Sequence, residues 1–135
     1  MAMILAFIVA NMGFLWSGAR FRIVGSEIST VNGGDALLAI ESDVLRLRFV
    51  CDRGQLFLDF QAKFAQQQSV WFSVDLVRRL FLGRPESSGV LDDAYAVFIR
   101  ENLPDIERCF DDANWSTTYA KLKELKTKRA KEMFG

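Results

Sequence analysis

The chain has 135 residues, half hydrophobic and a quarter charged, which is the composition of one globular domain and not of a disordered segment. Seventeen basic residues balance seventeen acidic ones, so bulk electrostatics gives no pull toward nucleic acid or an anionic membrane. There is no histidine, which removes the commonest general base and the commonest metal ligand and lowers the odds of an enzyme.

The chain opens on an almost wholly apolar run, Met1 to Trp16. It is shorter than the ~20 residues that span a bilayer. Ser17-Gly18-Ala19 has the small residues of a signal cleavage site, but no Lys or Arg precedes Arg20. The run reads as a helix from Ala2 to about Leu15, sandwiched and buried on most sides, with export or membrane association as the alternative. Arg20 to Ile28 reads as a strand, Asn32-Gly33-Gly34 as a loop and Ala36 to Glu41 as the next strand. A tight turn at Ser42-Asp43 would then pair Ile40 with Leu45 and Leu38 with Leu47.

Val44 to Phe60 carries the clearest pattern. Leu45, Leu47, Phe49 and Cys51 alternate with Arg46, Arg48 and Val50. Leu56, Leu58 and Phe60 alternate with Gln55, Phe57 and Asp59. A turn at Arg53-Gly54 pairs Cys51 with Leu56, Phe49 with Leu58 and Leu47 with Phe60, and sets Arg48 opposite Asp59. A slip of one residue would undo all four pairs, so the pattern specifies the register.

Ala62 to Ser69, with three glutamines, reads as a polar connector, and Val70-Trp71-Phe72 as a short strand or a plug for the core. Ser73 is placed to cap a helix through Leu82 with Leu76, Val77, Leu80 and Phe81 inside. Gly83 to Gly89 is a loop. Leu91 to Leu103 reads as a helix with Asp92 and Asp93 in its first turn and Leu91, Ala94, Tyr95 and Phe98 inside. Pro104 then starts or kinks a short helix through Phe110. Asn114 or Ser116 caps a last helix to about Met133, with Tyr119, Leu122, Leu125 and Met133 inside. The sum is one α+β domain over residues 1–135: an N-terminal helix, an antiparallel four-stranded meander and three C-terminal helices packed on one face.

Chemistry is sparse on this frame. Cys51 and Cys109 read as two reduced thiols in apolar settings. Asp92-Asp93 and Asp111-Asp112 are neighbours in sequence and point about 100° apart on a helix, so neither pair is a dyad. No cysteine or carboxylate spacing suggests a metal, and no glycine loop suggests a phosphate. No cofactor and no catalytic residue is expected. A small enzyme would have to unite Asp59 with Asp92 or Glu101. Arg46, Arg48 and Asp59 share the sheet face opposite the core with Val50 and Phe57, a mixed patch suited to a protein partner. Eight acidic residues stand against two arginines between Glu86 and Asp112, and six basic residues fall between Lys121 and Lys131. The basic helix lacks a stacking platform for bases, so nucleic acid is not expected as a partner.

Several segments together resemble the small immunity proteins of bacterial contact-dependent growth inhibition and related polymorphic toxin systems. They are the apolar first helix, Leu45-Arg46-Leu47-Arg48-Phe49 leading into Arg53-Gly54-Gln55, Trp71 with Asp75-Leu76-Val77, and the tail from Leu122 to Phe134. The resemblance implies a cytoplasmic, non-catalytic protein that binds one cognate toxin domain, often a nuclease, and covers its active site or substrate surface. Such toxins tend to be basic. Charge therefore nominates Asp92, Asp93, Asp105, Glu107, Asp111 and Asp112 for the interface, beside Arg46, Arg48 and Asp59. A general adaptor without a toxin is the alternative. Neither a membrane partner nor an oligomeric state is implied.

Overall fold

The computed structural model describes residues 1–29, 35–64 and 70–134. The Asn32-Gly33-Gly34 loop and the glutamines of the connector lie outside them. Within the described residues the order is α1 (Ala2–Asn11), a 3-10 segment (Gly13–Ala19), β1 (Arg22–Ile28), β2 (Ala36–Glu41), β3 (Leu45–Asp52), β4 (Gln55–Ala62), β5 (Phe72–Ser73), α2 (Val74–Leu82), α3 (Asp93–Cys109) and α4 (Trp115–Phe134). The five strands form one antiparallel sheet in sequence order. The helices gather on one of its faces, with α1 over β3, α2 over β4, α3 against α1 and α2, and α4 against α2.

The β3–β4 hairpin has the register its alternation specifies. Cys51 faces Leu56, Phe49 faces Leu58, Leu47 faces Phe60 and Arg48 faces Asp59. Both turn residues are left-handed, Arg53 at φ 52° and Gly54 at φ 79°, which is the twist a two-residue hairpin requires. Glycine adopts that φ freely. Arg53 accepts the strain, and its N–H donates to the Asp35 carboxylate at 3.0 Å.

The β2–β3 register differs from expectation by two residues. Ile40 faces Leu47 and Leu38 faces Phe49, because the chain turns at Asp43-Val44, one residue later than Ser42-Asp43, with Ser42 facing Leu45. Ser42 builds this turn. Its N–H donates to the Leu45 carbonyl at 2.8 Å, and its hydroxyl accepts from the N–H groups of Val44 and Leu45. An even shift keeps every side chain on its face, so the core assignment survives.

Helix boundaries differ more. The first helix stops at Asn11, and a 3-10 segment turns the chain toward β1. It is not sandwiched: Ile4 and Ile8 are buried, whereas Ala2, Met3, Leu5, Ala6, Val9 and Ala10 face solvent. Pro104 neither starts nor breaks a helix. It lies inside α3, at an exposed position, where it removes the bond an N–H would make to the Arg100 carbonyl. Continuous burial of Ile99, Leu103 and Ile106 on the other side carries the helix through. Ala94, expected inside, is exposed.

The helix layer is fastened by aromatic packing and by ion pairs. Phe72 meets Trp115 and Tyr119 edge-on, with centroids 6.2 and 6.0 Å apart, and Trp115 also stacks near Phe110 at 5.1 Å. Farther along α4 the packing turns polar, and Met133, expected inside, is exposed. Arg129 donates to Asp75 at 2.7 Å and to the Ser73 hydroxyl at 2.8 Å, and Arg79 forms two 2.9 Å bonds to Glu132. Ser73 flanks α2 as expected but makes no side-chain cap bond. Its hydroxyl serves Arg129 instead. Gly89 completes this corner, since a Cβ there would come within 3.3 Å of the Asp75 carboxylate.

Asp75 is buried, and Arg129 is the cation bonded to it. Replacing Arg129 by Met leaves a carboxylate in a poorly solvated site and should cost about 2 kcal/mol in urea unfolding. Adding Asp75→Asn should recover part of that loss. A single variant as stable as wild type would show that the Arg129–Asp75 pair does not help to hold α4.

Candidate surface on the open sheet face

Alternation along β2, β3 and β4 divides the sheet into two chemistries. Leu38, Ile40, Leu45, Leu47, Phe49, Leu56, Leu58 and Phe60 are buried under the helices. Leu37, Ala39, Arg46, Arg48, Val50, Phe57 and Asp59 point the other way and are half-buried among themselves. The hairpin register brings Arg46, Arg48 and Asp59 together here, as the sequence suggests.

Arg48 is the most constrained of the three. Its Nε and one terminal nitrogen both reach the same Asp59 oxygen, at 3.2 and 2.8 Å. The guanidinium lies over the Trp71 ring, 4.4 Å from its centroid. Trp71 reaches this position because Phe72 pairs with Phe60 on the core side, which turns the preceding residue outward. Carboxylate and indole together hold the arginine fork in one orientation.

A second group lies at the neighbouring end of the face. Glu41 is buried, and three cations converge on it: Lys63 at 3.3 Å, Arg22 at 3.4 Å and Arg46 at 3.7 Å. Arg46 also donates to the Gln61 side-chain oxygen at 3.2 Å. Burial alone would push the Glu41 carboxyl up, but Lys63, Arg22 and Arg46 outweigh it and hold the group below its ordinary range. Three cations on one carboxylate leave this corner net positive.

The acidic residues nominated by charge are spread along α3 and into the turn before α4, and the fold uses several of them for caps and pairs. Asp92 and Asp93 begin α3 and Asp105 lies twelve residues beyond Asp93, about 18 Å along the axis. Asp92 accepts from the Tyr95 N–H as an N-cap. Asp105 pairs with Arg108 at 2.7 Å. Glu107 is buried, where it accepts from the Ser42 hydroxyl at 3.1 Å and pairs with Arg20. Asp111 accepts from the Asn114 N–H at 2.8 Å ahead of α4. Asp112 is exposed beside Trp115. Along the outer side of α3 the acids alternate with Arg100 and Arg108, so the helix presents mixed charge. The sequence signal was a local count, and a count does not register which carboxylates the fold uses for capping and pairing.

The carboxylates an enzyme would need are likewise apart. Asp59 is on the open face, bound to Arg48, while Glu101 and Asp92 belong to α3 on the helix side. A cleft of about 980 Å³ runs between Phe57, the Pro85–Gly89 loop and the end of α4. Its Asp75, Arg79, Arg129 and Glu132 are paired with one another. Cys51 and Cys109 are both free thiols, and burial pushes Cys109 up, away from an activated thiolate. Among the described residues, no group of three or more acids and cysteines is placed to hold a metal ion.

The sign of the Glu41 effect gives a test. A carboxyl held below its unfolded value stabilises the fold at neutral pH, and that contribution is lost as the pH falls through the lowered value. Glu41→Gln should therefore cost about 1–2 kcal/mol at pH 7 by chemical denaturation. The gap from wild type should close as the pH falls through the carboxyl's lowered range. A gap that stays constant with pH would mean the cations do not favour the charged form.

The chain matches no family model, no curated protein and no solved structure.

Proposed function

We propose that this protein is a stoichiometric binding protein of the immunity type, which covers a cognate toxin domain with its open sheet face. The observation that carries the reading is the locked Arg48–Asp59–Trp71 group on a face with half-buried Val50 and Phe57 around it. Tryptophan and arginine dominate binding hot spots, tryptophan through large area at low rotamer cost and arginine through its planar fork of donors. An arginine already held in place gives up little entropy on binding. The apolar neighbours supply area to exclude water, and the charged ones supply register and steering. The net-positive corner around Glu41 suits carboxylates on the partner, which supports the sheet as a site of electrostatic contact. Support for the toxin as partner comes from the sequence resemblance. The geometry supports the narrower claim that this is a docking face with no catalytic set on it.

The test is co-expression with the product of the open reading frame beside this chain, followed by titration calorimetry. Wild type should protect the host and bind in equal proportion. Trp71→Ala and Arg48→Ala should each weaken binding at least ~10-fold, with far-UV circular dichroism unchanged. Binding that survives both substitutions would move the interface off this face. Tight binding to a non-toxic partner through the same face would favour the adaptor reading.

A further inference from the structure

The strand registers sort the open face into rows that run across the sheet. The first row is Arg22, Glu41, Arg46 and Gln61, with Lys63 reaching in beside it. The second is Ala39, Arg48 and Asp59, and its two charges are paired with each other beneath Trp71. The third is Glu27, Leu37, Val50 and Phe57. Beyond it stand Asp35, just before β2, and Asp52, the last residue of β3. The two ends of the face therefore differ in sign. The first row sets three cations around one carboxylate, and Arg22 and Arg46 keep 64% and 43% of their side-chain surface open. The far end holds the carboxylates of Glu27, Asp35 and Asp52. Among the described residues, the cation paired there is Arg53, 3.8 Å from Asp52 and 89% exposed. Arg46 and Asp52 are six residues apart on β3, which separates the ends by about 20 Å.

The acidic end is also concave. A hollow of about 270 Å³ has Leu37 and Val50 on one side and Asp35 and Asp52 on the other, with Glu27 at its rim. Its floor is the backbone of Ile28, Ala36 and Cys51, since alternation turns those side chains to the opposite face. The hollow thus opens on the same face as Arg48 and Trp71. A long basic side chain suits both of its walls, with the methylene stem on Leu37 and Val50 and the cationic head among the carboxylates.

We propose that the protein covered by this face is gripped at both ends: its carboxylates lie against Arg22, Arg46 and Lys63, and one of its lysine or arginine side chains, about 20 Å away, enters the hollow at Glu27, Asp35 and Asp52. The inference rests on the docking reading above and adds the charge layout of the partner. Opposite signs at the two ends fix the direction of docking as well as its place. A partner turned end for end would set like charges against each other twice. A second copy of this chain does not supply the match. A two-fold axis that laid the positive end on the acidic end would also lay the Arg48–Asp59 row on the Val50–Phe57 row, taking paired charges out of water against apolar side chains.

Titration calorimetry with the purified product of the neighbouring open reading frame tests the inference, with Arg22→Glu at one end and Glu27→Lys and Asp52→Lys at the other. All three side chains are exposed, so each variant should keep the circular dichroism of wild type. Each should raise the dissociation constant at least ~10-fold. A partner of one charge sign gives a different pattern, losing affinity to reversal at one end and gaining it at the other, and that result overturns the inference. Reversals without effect, beside a Trp71→Ala variant that does lose binding, overturn it and leave the docking face standing. A wild-type chain with no affinity for that product removes the docking reading and this inference together. A wild-type chain that sediments alone at twice its 15.3 kDa, and returns to single mass on Glu27→Lys, gives the face to a second copy and overturns the inference.

Discussion

The register of the β3–β4 hairpin is the constraint on which the rest of the structure depends. Its apolar pairs fix which side of the sheet is core, and the two left-handed turn residues prevent a slip that would exchange the sides. The consequences run outward from there. β2 must add with Leu38 and Ile40 inward, and β5 must bring Phe72 against Phe60, which in turn sends Trp71 to the open face. The Arg48–Trp71 contact is thus a product of the same parity that builds the core. A binding surface made this way inherits the rigidity of the sheet and needs no ordering of loops.

Polar groups then do the fastening that apolar packing leaves undone. At one corner Ser42 shapes a turn with its oxygen and donates its proton to Glu107, so one hydroxyl joins the sheet to α3. At the opposite corner Arg78 lies over the Tyr95 ring and pairs with Glu86, and the Tyr95 hydroxyl donates to the Ser88 carbonyl. Burial pushes that phenol far above its usual range, which keeps it a donor at any physiological pH. Asp75 and Arg129 repeat the device for α4. Buried charged groups of this kind contribute little net stability when complete, but removing one partner is costly. They therefore select one docking of the helices over its near alternatives.

Sequence patterning conveyed the parts of this fold that obey short periods. The hairpin, its turn and the inward faces of β2 to β4 were legible because strand alternation is strict and a glycine marks the turn. The loop at Ser42 was not, since a serine side chain competing for backbone donors has no periodic signature. Pro104 misled for a related reason: its local cost is real, but burial on the far side of the helix outweighs it. The ion pairs joining residues 53 or 54 positions apart, Arg79 with Glu132 and Arg129 with Asp75, leave no trace in either segment alone. Arg48 with Asp59 was legible because a hairpin makes them near neighbours, whereas Trp71 above them depended on a two-residue strand that propensity barely registers.

The apolar N-terminal helix is where sequence and structure disagree in the most informative way. Its composition asks for burial on every side, and the fold provides it on one. Core helices of this size are normally enclosed by the chain itself, and here the enclosure stops one strand short because nothing follows β1 at its edge among the described residues. Edge strands of soluble proteins are usually blunted by charge or by a bulge. β1 has both, with Arg22, Glu27 and an irregularity between Ile23 and Gly25, so simple strand addition is discouraged.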